Sequence, residues 1–394
     1  MTPRKIIHLD LDAFFCAVEE LRQPELAGRP FAVGGRPQER GVVSSCSYAA
    51  RMLGIHSAMP MSQALRLCPE LLVIPPHFEA YRVLSEQVME TLREWTALVE
   101  QLSIDEAFLD VSDLPQPGLE IARELQRAIR ERLKLPCSLG VATNKLLAKT
   151  ATDVGKGKHR GPTPPGAIEV VPPGQEAAFL AGLPVRMLWG VGPKTAARLK
   201  ELGIHTIGDI AVMPEAVLAG KFGQAGREMS QHARGLDDRP VVVEHAARSI
   251  SSEVTFERDV TDPKKIDQTL HTLSEDVARS LRDKKLCAST IRLKIRWQDF
   301  STHTRQTSLR QPTDQDQVIY ETAVVLLRAI WTDGRPVRLI GVGAARLAER
   351  AHQLSLWDTP DQKERRLLEA LDELRQRFGE ETVRSGRKLQ RPKS

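Results

Sequence analysis

The first apolar run, Ile6-Ile-His-Leu-Asp10-Leu-Asp12, reads as a buried strand over residues 5–11, and an amphipathic helix follows from about Ala13 to Arg22. Pro24, Gly28 and Pro30 mark a loop. Phe31–Val33 and Gly41–Ser44 then read as short strands, and the stretches Ser47–Leu53 and Ser62–Leu67 as short helices. A strand at Leu71–Ile74 leads into a helix from about Phe78 to Thr96. Val99, Leu102 and Ile104, then Phe108, Leu109 and Val111, form two apolar runs that predict a hairpin with Asp105-Glu106 at or beside its turn. A helix over about Gly118–Leu133 and a strand over Cys137–Val141 complete an α+β sheet expected to carry helices on one face. Asn144 caps a further helix with Lys145 and Lys149 on one face, and Lys156 falls just beyond its expected end.

The pattern changes after a Pro/Gly-rich stretch at 161–174, and an all-helical piece follows. In it, Leu188-Trp-Gly-Val-Gly-Pro-Lys-Thr-Ala-Ala-Arg-Leu199 has the form of a helix-hairpin-helix. Gly190-Val191-Gly192 would turn successive N–H groups outward, Pro193 opens the next helix, and Lys194 adds charge, which suits a DNA phosphate read without regard to sequence. Leu236–Pro240 reads as a linker. Residues 246–346 alternate strand-like runs with helices at about Lys264–Arg282 and Asp314–Thr332. Within Ile291–Trp297, strand alternation puts Arg292, Lys294 and Arg296 on one face and Ile291, Leu293, Ile295 and Trp297 on the other. Past this segment lie Gln353-Leu354-Ser-Leu356-Trp357, an apolar stripe of Leu367, Leu371, Leu374 and Phe378, and a basic end from Arg384 expected to be disordered.

Composition narrows the class only slightly. The 394 residues allow two to four domains, and the net charge of +5 is compatible with nucleic acid without requiring it. Residues 246–346 hold 17 Lys and Arg against 13 Asp and Glu, so +4 of that charge sits there. The five cysteines, Cys16, Cys46, Cys68, Cys137 and Cys287, are scattered without a Cys-x-x-Cys pair, which argues against a zinc site and a disulfide framework. With no apolar run long enough to span a bilayer, the expectation is a cytoplasmic protein with no membrane partner.

If the first strand lies beside the hairpin, Asp10, Asp105 and Glu106 converge on one sheet edge. Adjacent carboxylates repel unless they share a cation, and an all-oxygen set suits Mg²⁺ completed by substrate phosphates. Tyr48 and Arg51 lie three apart on one helical face, and Arg matches phosphate oxygens with its charged fork.

The segments His8-Leu-Asp-Leu-Asp-Ala-Phe-Phe, Tyr48-Ala-Ala-Arg51, Ser103-Ile-Asp-Glu-Ala-Phe and Leu139-Gly-Val-Ala-Thr-Asn-Lys-Leu-Leu-Ala-Lys149 resemble, in this order, the Y-family DNA polymerases, most of all the DinB branch. The resemblance runs from about Lys5 to Arg346. It implies a right-hand polymerase: a palm at 1–12 and 72–165, fingers at 13–71, a helical thumb at 166–235, a linker at 236–245, an α/β little finger at 246–346 and a tail at 347–394. It implies template-directed, low-fidelity translesion synthesis without a proofreading exonuclease, by two-metal phosphoryl transfer with two Mg²⁺ held by Asp10, Asp105, Glu106 and the Leu11 carbonyl. Asp12 is left out of that set because alternation points it away from Asp10. The nucleotide would meet Phe14, Phe15, Ser45, Tyr48, Arg51 and Lys156, with Phe15 as the steric gate against ribose. The loop Lys156-Gly-Lys-His-Arg-Gly161-Pro departs from the family's Lys-Pro-x-Gly, leaving Lys158 or Arg160 to share or replace the Lys156 role. Ser44, Ser57 and Ala58 would leave a roomy roof over the nascent pair. Primer-template DNA would contact Gly190, Val191, Gly192, Lys194, Arg292, Lys294 and Arg296. Gln353, Leu354, Leu356 and Trp357 would bind a sliding clamp, with the polymerase itself a monomer. Two other readings are a non-catalytic DNA- and clamp-binding scaffold and a palm-like nucleotide cyclase.

Overall fold

The computed structural model describes residues 3–332, 334–349, 370, 371, 374, 377 and 378, and divides the chain into two compact units, residues 1–245 and 246–394.

The first unit begins with β1 (Ile6–Leu11), which is buried on both faces except at the half-buried Asp10. Ala13 takes a left-handed φ of 48° that ends the strand and starts α1 (Phe14–Arg22). Next come β2 (Phe31–Gly34), β3 (Val43–Cys46), α2 (Tyr48–Met52), α3 (Met61–Leu67), β4 (Leu72–Ile74), α4 (Phe78–Arg93), β5 (Val99–Gln101), β6 (Glu106–Asp110), α5 (Gly118–Leu133), β7 (Cys137–Ala142), α6 (Lys145–Lys158) and β8 (Ile168–Val170). Helices α7 (Glu176–Ala181), α8 (Pro193–Glu201), α9 (Ile207–Val212), α10 (Glu215–Phe222) and α11 (Gln224–Ala233) then form the helical segment.

The main sheet has the order β5-β6-β1-β7-β8, so the N-terminal strand lies at its centre, antiparallel to β6 and β7. Alternation along β1 sends Ile7, Leu9 and Leu11 to the core with α1, α4 and α5. Ile6 faces the other way, into a core with Leu146, Leu147, Ala148 and Ala151 of α6. Helices therefore cover both faces, not one as expected: the strands are apolar on both sides, and α6 buries the second. Strand β4 also departs from expectation. It pairs in parallel with β2 in a separate sheet of order β3-β2-β4, outside the acidic sheet.

Residues 236–245 are no free tether. Asp237 accepts the Leu146 N–H at 3.0 Å and pairs with Arg239 at 2.6 Å. The buried Glu100–Lys145 pair (2.8 Å) accepts the Val242 N–H and contacts His245 at 3.0 Å. A buried ion pair is tolerated when further hydrogen bonds satisfy it, and the chain at 242–245 supplies them.

The second unit contains β9 (Ser249–Val260), α12 (Pro263–Asp283), β10 (Leu286–Trp297), β11 (Thr302–Thr313), α13 (Asp316–Arg328) and β12 (Val337–Glu349). Its antiparallel sheet has the order β11-β10-β12-β9, and α12 and α13 pack on the apolar face. No helix among the described residues is long and apolar enough to cross a membrane.

Candidate active site

Register brings the acids together. Asp10 is the direct partner of Glu106 across β1 and β6, and the Leu11 N–H donates to the Asp105 carbonyl at 3.0 Å. The Leu11 side chain is buried, so only its peptide belongs to this edge. Ser103, in the turn, donates its hydroxyl to Asp105 Oδ1 at 2.6 Å and accepts the Glu106 N–H at 3.1 Å.

Each acid is turned to its own partner. Lys156 Nζ lies 2.5 Å from Asp10 Oδ1 and 3.1 Å from Asp12 Oδ1, while Lys149 Nζ lies 2.8 Å from Glu106 Oε2. Burial, then the neighbouring Glu106 and Asp105, push the Asp10 carboxyl up to about 7, against the pull of Lys156. Glu106 is held down to about 2, first by the facing His8 imidazole and then by Lys149, against its burial. His8 Nε2 is 3.7 Å away, too far for a hydrogen bond, and burial lowers its pKa to about 4. Lys149 is thus the ammonium in direct contact with Glu106. The Asp10 and Asp12 carboxylates outweigh the burial of Lys156 and raise its pKa.

This donor set fits a hard cation: two carboxylates in register, a third on the adjoining turn, a backbone carbonyl and no thiol. No three acidic, His or Cys side chains among the described residues converge on one point as a preformed centre.

Alternation does not account for Asp12. The strand has ended at Leu11, so the Asp12 carboxylate reaches the same ammonium as Asp10. It stays outside the acidic set for another reason: it is fully buried and accepts from Ser138 Oγ (2.9 and 3.0 Å) and the Gly166 N–H (3.1 Å), tying β1 to β7. Lys156 belongs to the last turn of α6, not beyond it. Lys158 is spent on Glu169 at 2.6 Å and Arg160 on the Gly157 and His159 carbonyls, so of the three it is Lys156 that meets the acids.

On α2, the Arg51 guanidinium lies 4.5 Å from the Tyr48 ring centre, so the two share a face. Burial, then the Asp12 carboxylate, push the Tyr48 phenol up to about 12, leaving its hydroxyl protonated at neutral pH. Two expectations need correction. Ser45 is buried and accepts from Cys16 Sγ at 3.5 Å, so its hydroxyl faces α1 instead of Tyr48. The Phe14 ring is 2% exposed and belongs to the core, which leaves only its backbone, in the first turn of α1, near the acids. Phe15 is half-buried and stacks on Tyr81 with centroids 4.3 Å apart and planes 11° apart. Ser44, Ser57 and Ala58 are exposed.

In the helical segment, Gly190 has φ of 93°, open space where a Cβ would stand, and Pro193 opens α8. Only part of the expected row of outward N–H groups exists, because the Val191 N–H donates to the Leu188 carbonyl at 2.9 Å. Within the second unit, β10 places Arg292, Lys294 and Arg296 opposite the buried Ile291, Leu293, Ile295 and Trp297. Each already has a neighbour: Gln306, Glu253 at 2.7 Å, and Thr302 respectively. Gln353, Leu354, Leu356 and Trp357 lie outside the described residues.

Comparison with known proteins agrees along the chain. Residues 9–153 match the impB/mucB/samB family, 173–204 the IMS family HHH motif, and 247–356 the impB/mucB/samB family C-terminal domain. A DNA polymerase IV of Desulfatibacillum aliphaticivorans is 40% identical over 390 residues, covering 97% of this chain and 96% of that protein. One from Alkalilimnicola ehrlichii is 41% identical over 364 residues, 91% of this chain and 100% of that protein. Among solved structures, a Y-family DNA polymerase chimera, Dbh-Dpo4(243-245)-Dbh, aligns with a TM-score of 0.77 at 27% identity, over 88% of this chain and 99% of its own. This chain belongs to the impB/mucB/samB family of Y-family DNA polymerases, on the DNA polymerase IV branch.

Proposed function

We propose that the protein is a template-directed DNA polymerase that extends a primer 3′ end with deoxynucleotides in translesion synthesis, with Asp10, Asp105 and Glu106 as its catalytic acids. The register pairing of Asp10 with Glu106, with Asp105 on the adjoining turn, carries the reading. These acids and the Leu11 carbonyl would hold two Mg²⁺, which when bound supply the charge neutralisation that in-line phosphoryl transfer needs.

The chain's own residues do the rest. Lys156 keeps Asp12 as a partner when Asp10 is engaged elsewhere, so its ammonium stays at the mouth of the site for the triphosphate. Tyr48 donates its hydroxyl and Arg51 its guanidinium to the same phosphates. The N–H groups of Phe14 and Phe15, in the first turn of α1, have no i−4 acceptor within the helix and suit a phosphate oxygen. Phe15 is the steric gate, excluding ribose by clash. The main sheet with α4–α6 serves as palm, the β3-β2-β4 sheet with its short helices as fingers, and α7–α11 as thumb; the second unit serves as little finger. Gly190, Gly192 and Lys194, and separately Arg292, Lys294 and Arg296, hold duplex phosphates.

Primer extension on a template with Mg²⁺ and the four deoxynucleotides tests the reading. A scaffold would extend nothing, and a cyclase would consume a nucleotide without primer. The segment Gln353–Trp357 serves a sliding clamp. Leu356→Ala with Trp357→Ala is expected to keep basal extension and lose stimulation by a loaded clamp, because apolar anchors carry most of a small interface. Equal clamp binding by variant and parent would remove that assignment.

A further inference from the structure

Glu19 has no exposed surface, yet the polymerase reading gives it no task. It lies on α1 against α4, where an unpartnered carboxylate would be costly. Its Oε1 accepts the Tyr81 hydroxyl and lies 2.9 Å from His77 Nδ1, and its Oε2 lies 3.5 Å from Arg22 Nε. The Tyr81 ring, itself fully buried, is the one stacked face to face on Phe15. Phe78 meets both rings edge-on, at 6.1 Å from Phe15 and 6.0 Å from Tyr81, and is 61% exposed, so that side of the cluster is open.

A gate that works by clash excludes only as well as it is backed. Tyr81 covers one face of Phe15, and a ring held by stacking alone could slide or turn toward the open Phe78 side. The hydroxyl tether to a buried carboxylate that His77 also holds removes that freedom. We propose that Glu19 is a positioning residue for sugar discrimination: by holding the Tyr81 hydroxyl it locks the ring behind Phe15 and denies the gate the recoil that would admit a 2′-hydroxyl. The inference rests on reading Phe15 as the gate.

The test compares kcat/KM for matched ribo- and deoxyribonucleoside triphosphates on one primer-template. It uses the full chain, Phe15→Ala, Tyr81→Phe, Glu19→Ala and Glu19→Gln, with melting temperature and duplex affinity measured alongside. Phe15→Ala raises relative ribonucleotide use by at least about tenfold. Tyr81→Phe and Glu19→Ala raise it by about 2- to 12-fold, the range set by the cost of turning an aromatic side chain off its rotamer. Glu19→Gln keeps an acceptor oxygen for Tyr81 and stays near the parent ratio. Loss of packing alone lowers use of both sugars together and leaves the ratio unmoved. Should Glu19→Ala fail to fold, Tyr81→Phe, which removes one oxygen and keeps the ring, decides alone. An unchanged ratio in Tyr81→Phe beside a raised one in Phe15→Ala overturns the tether. An unchanged ratio in Phe15→Ala overturns the gate, and the tether with it.

Discussion

The acidic edge of the first unit comes from strand register and an adjoining turn, the basic face of the second from strand alternation, and the two hold charge in opposite ways. At the acidic edge, Lys156 and Asp10 are 22% and 15% exposed and Asp12 is fully buried, so each ion sits in a medium that magnifies its neighbours. On the basic face, Lys294 and Glu253 are 34% and 47% exposed, a setting in which a pair contributes about 0–1 kcal/mol. The edge depends on which residue stands at each place. The face depends on how many charges it presents.

The largest expected effect comes from removing one acid. Asp105→Ala or Glu106→Ala should lower primer extension by more than about 10³-fold, beyond what loss of one group stabilising transition-state charge costs, while duplex affinity holds. Near-parental extension by either variant would return these acids to an ordinary turn.

Much of this contrast is legible in the sequence. The β1 run with its carboxylates, the hairpin around Asp105-Glu106 and the alternation of Arg292, Lys294 and Arg296 are local patterns, and local patterns predict elements and faces. Pairings across long separations were not readable: Lys156 with Asp10 spans 146 positions, Lys149 with Glu106 spans 43, and Tyr81 with Glu19 spans 62. Strand β4 was misplaced because its parallel partner β2 leaves no trace in its own three residues. Helix α6 runs past the end expected before Lys156, and Gly155 within it admits a close approach: a Cβ there would lie 3.1 Å from Ala167 Cβ. Phe14 and Phe15 adjoin, and only packing decided which ring went to the core.

A second test addresses the basic face. Replacing Arg292, Lys294 and Arg296 together by Ala should weaken duplex binding about equally for all sequences. The salt slope should shrink by at most about 0.9 per phosphate contact removed. Extension at saturating DNA should survive. Loss of extension at saturation would mean that this face does more than hold phosphates. An unchanged slope would mean that the existing neighbours, Gln306, Glu253 and Thr302, already occupy it.

The smallest effect returns to the edge and follows from Asp10. Its folded-state pKa is about 7 against an ordinary 3.8. Between those values the folded chain keeps a proton that the unfolded chain has lost, so without a divalent ion Asp10 makes stability fall as pH rises through this window. Glu106, held to about 2, is ionised throughout this window in the folded chain and adds almost nothing to the trend above about pH 6. A divalent ion must displace the Asp10 proton, so Mg²⁺ should bind about tenfold more tightly at pH 8 than at pH 6. Stabilisation by a ligand grows with its concentration over Kd, and each kcal/mol raises the melting temperature of a unit this size by about 2–4 °C. Saturating Mg²⁺ should therefore raise the melting temperature by a few degrees more at pH 8 than at pH 6, and Asp10→Asn should abolish the difference. An equal rise at both pH values would show that no titrating carboxylate takes part in holding the ion, and the contrast between a site of interlocked charges and a surface of counted ones would lose its main support.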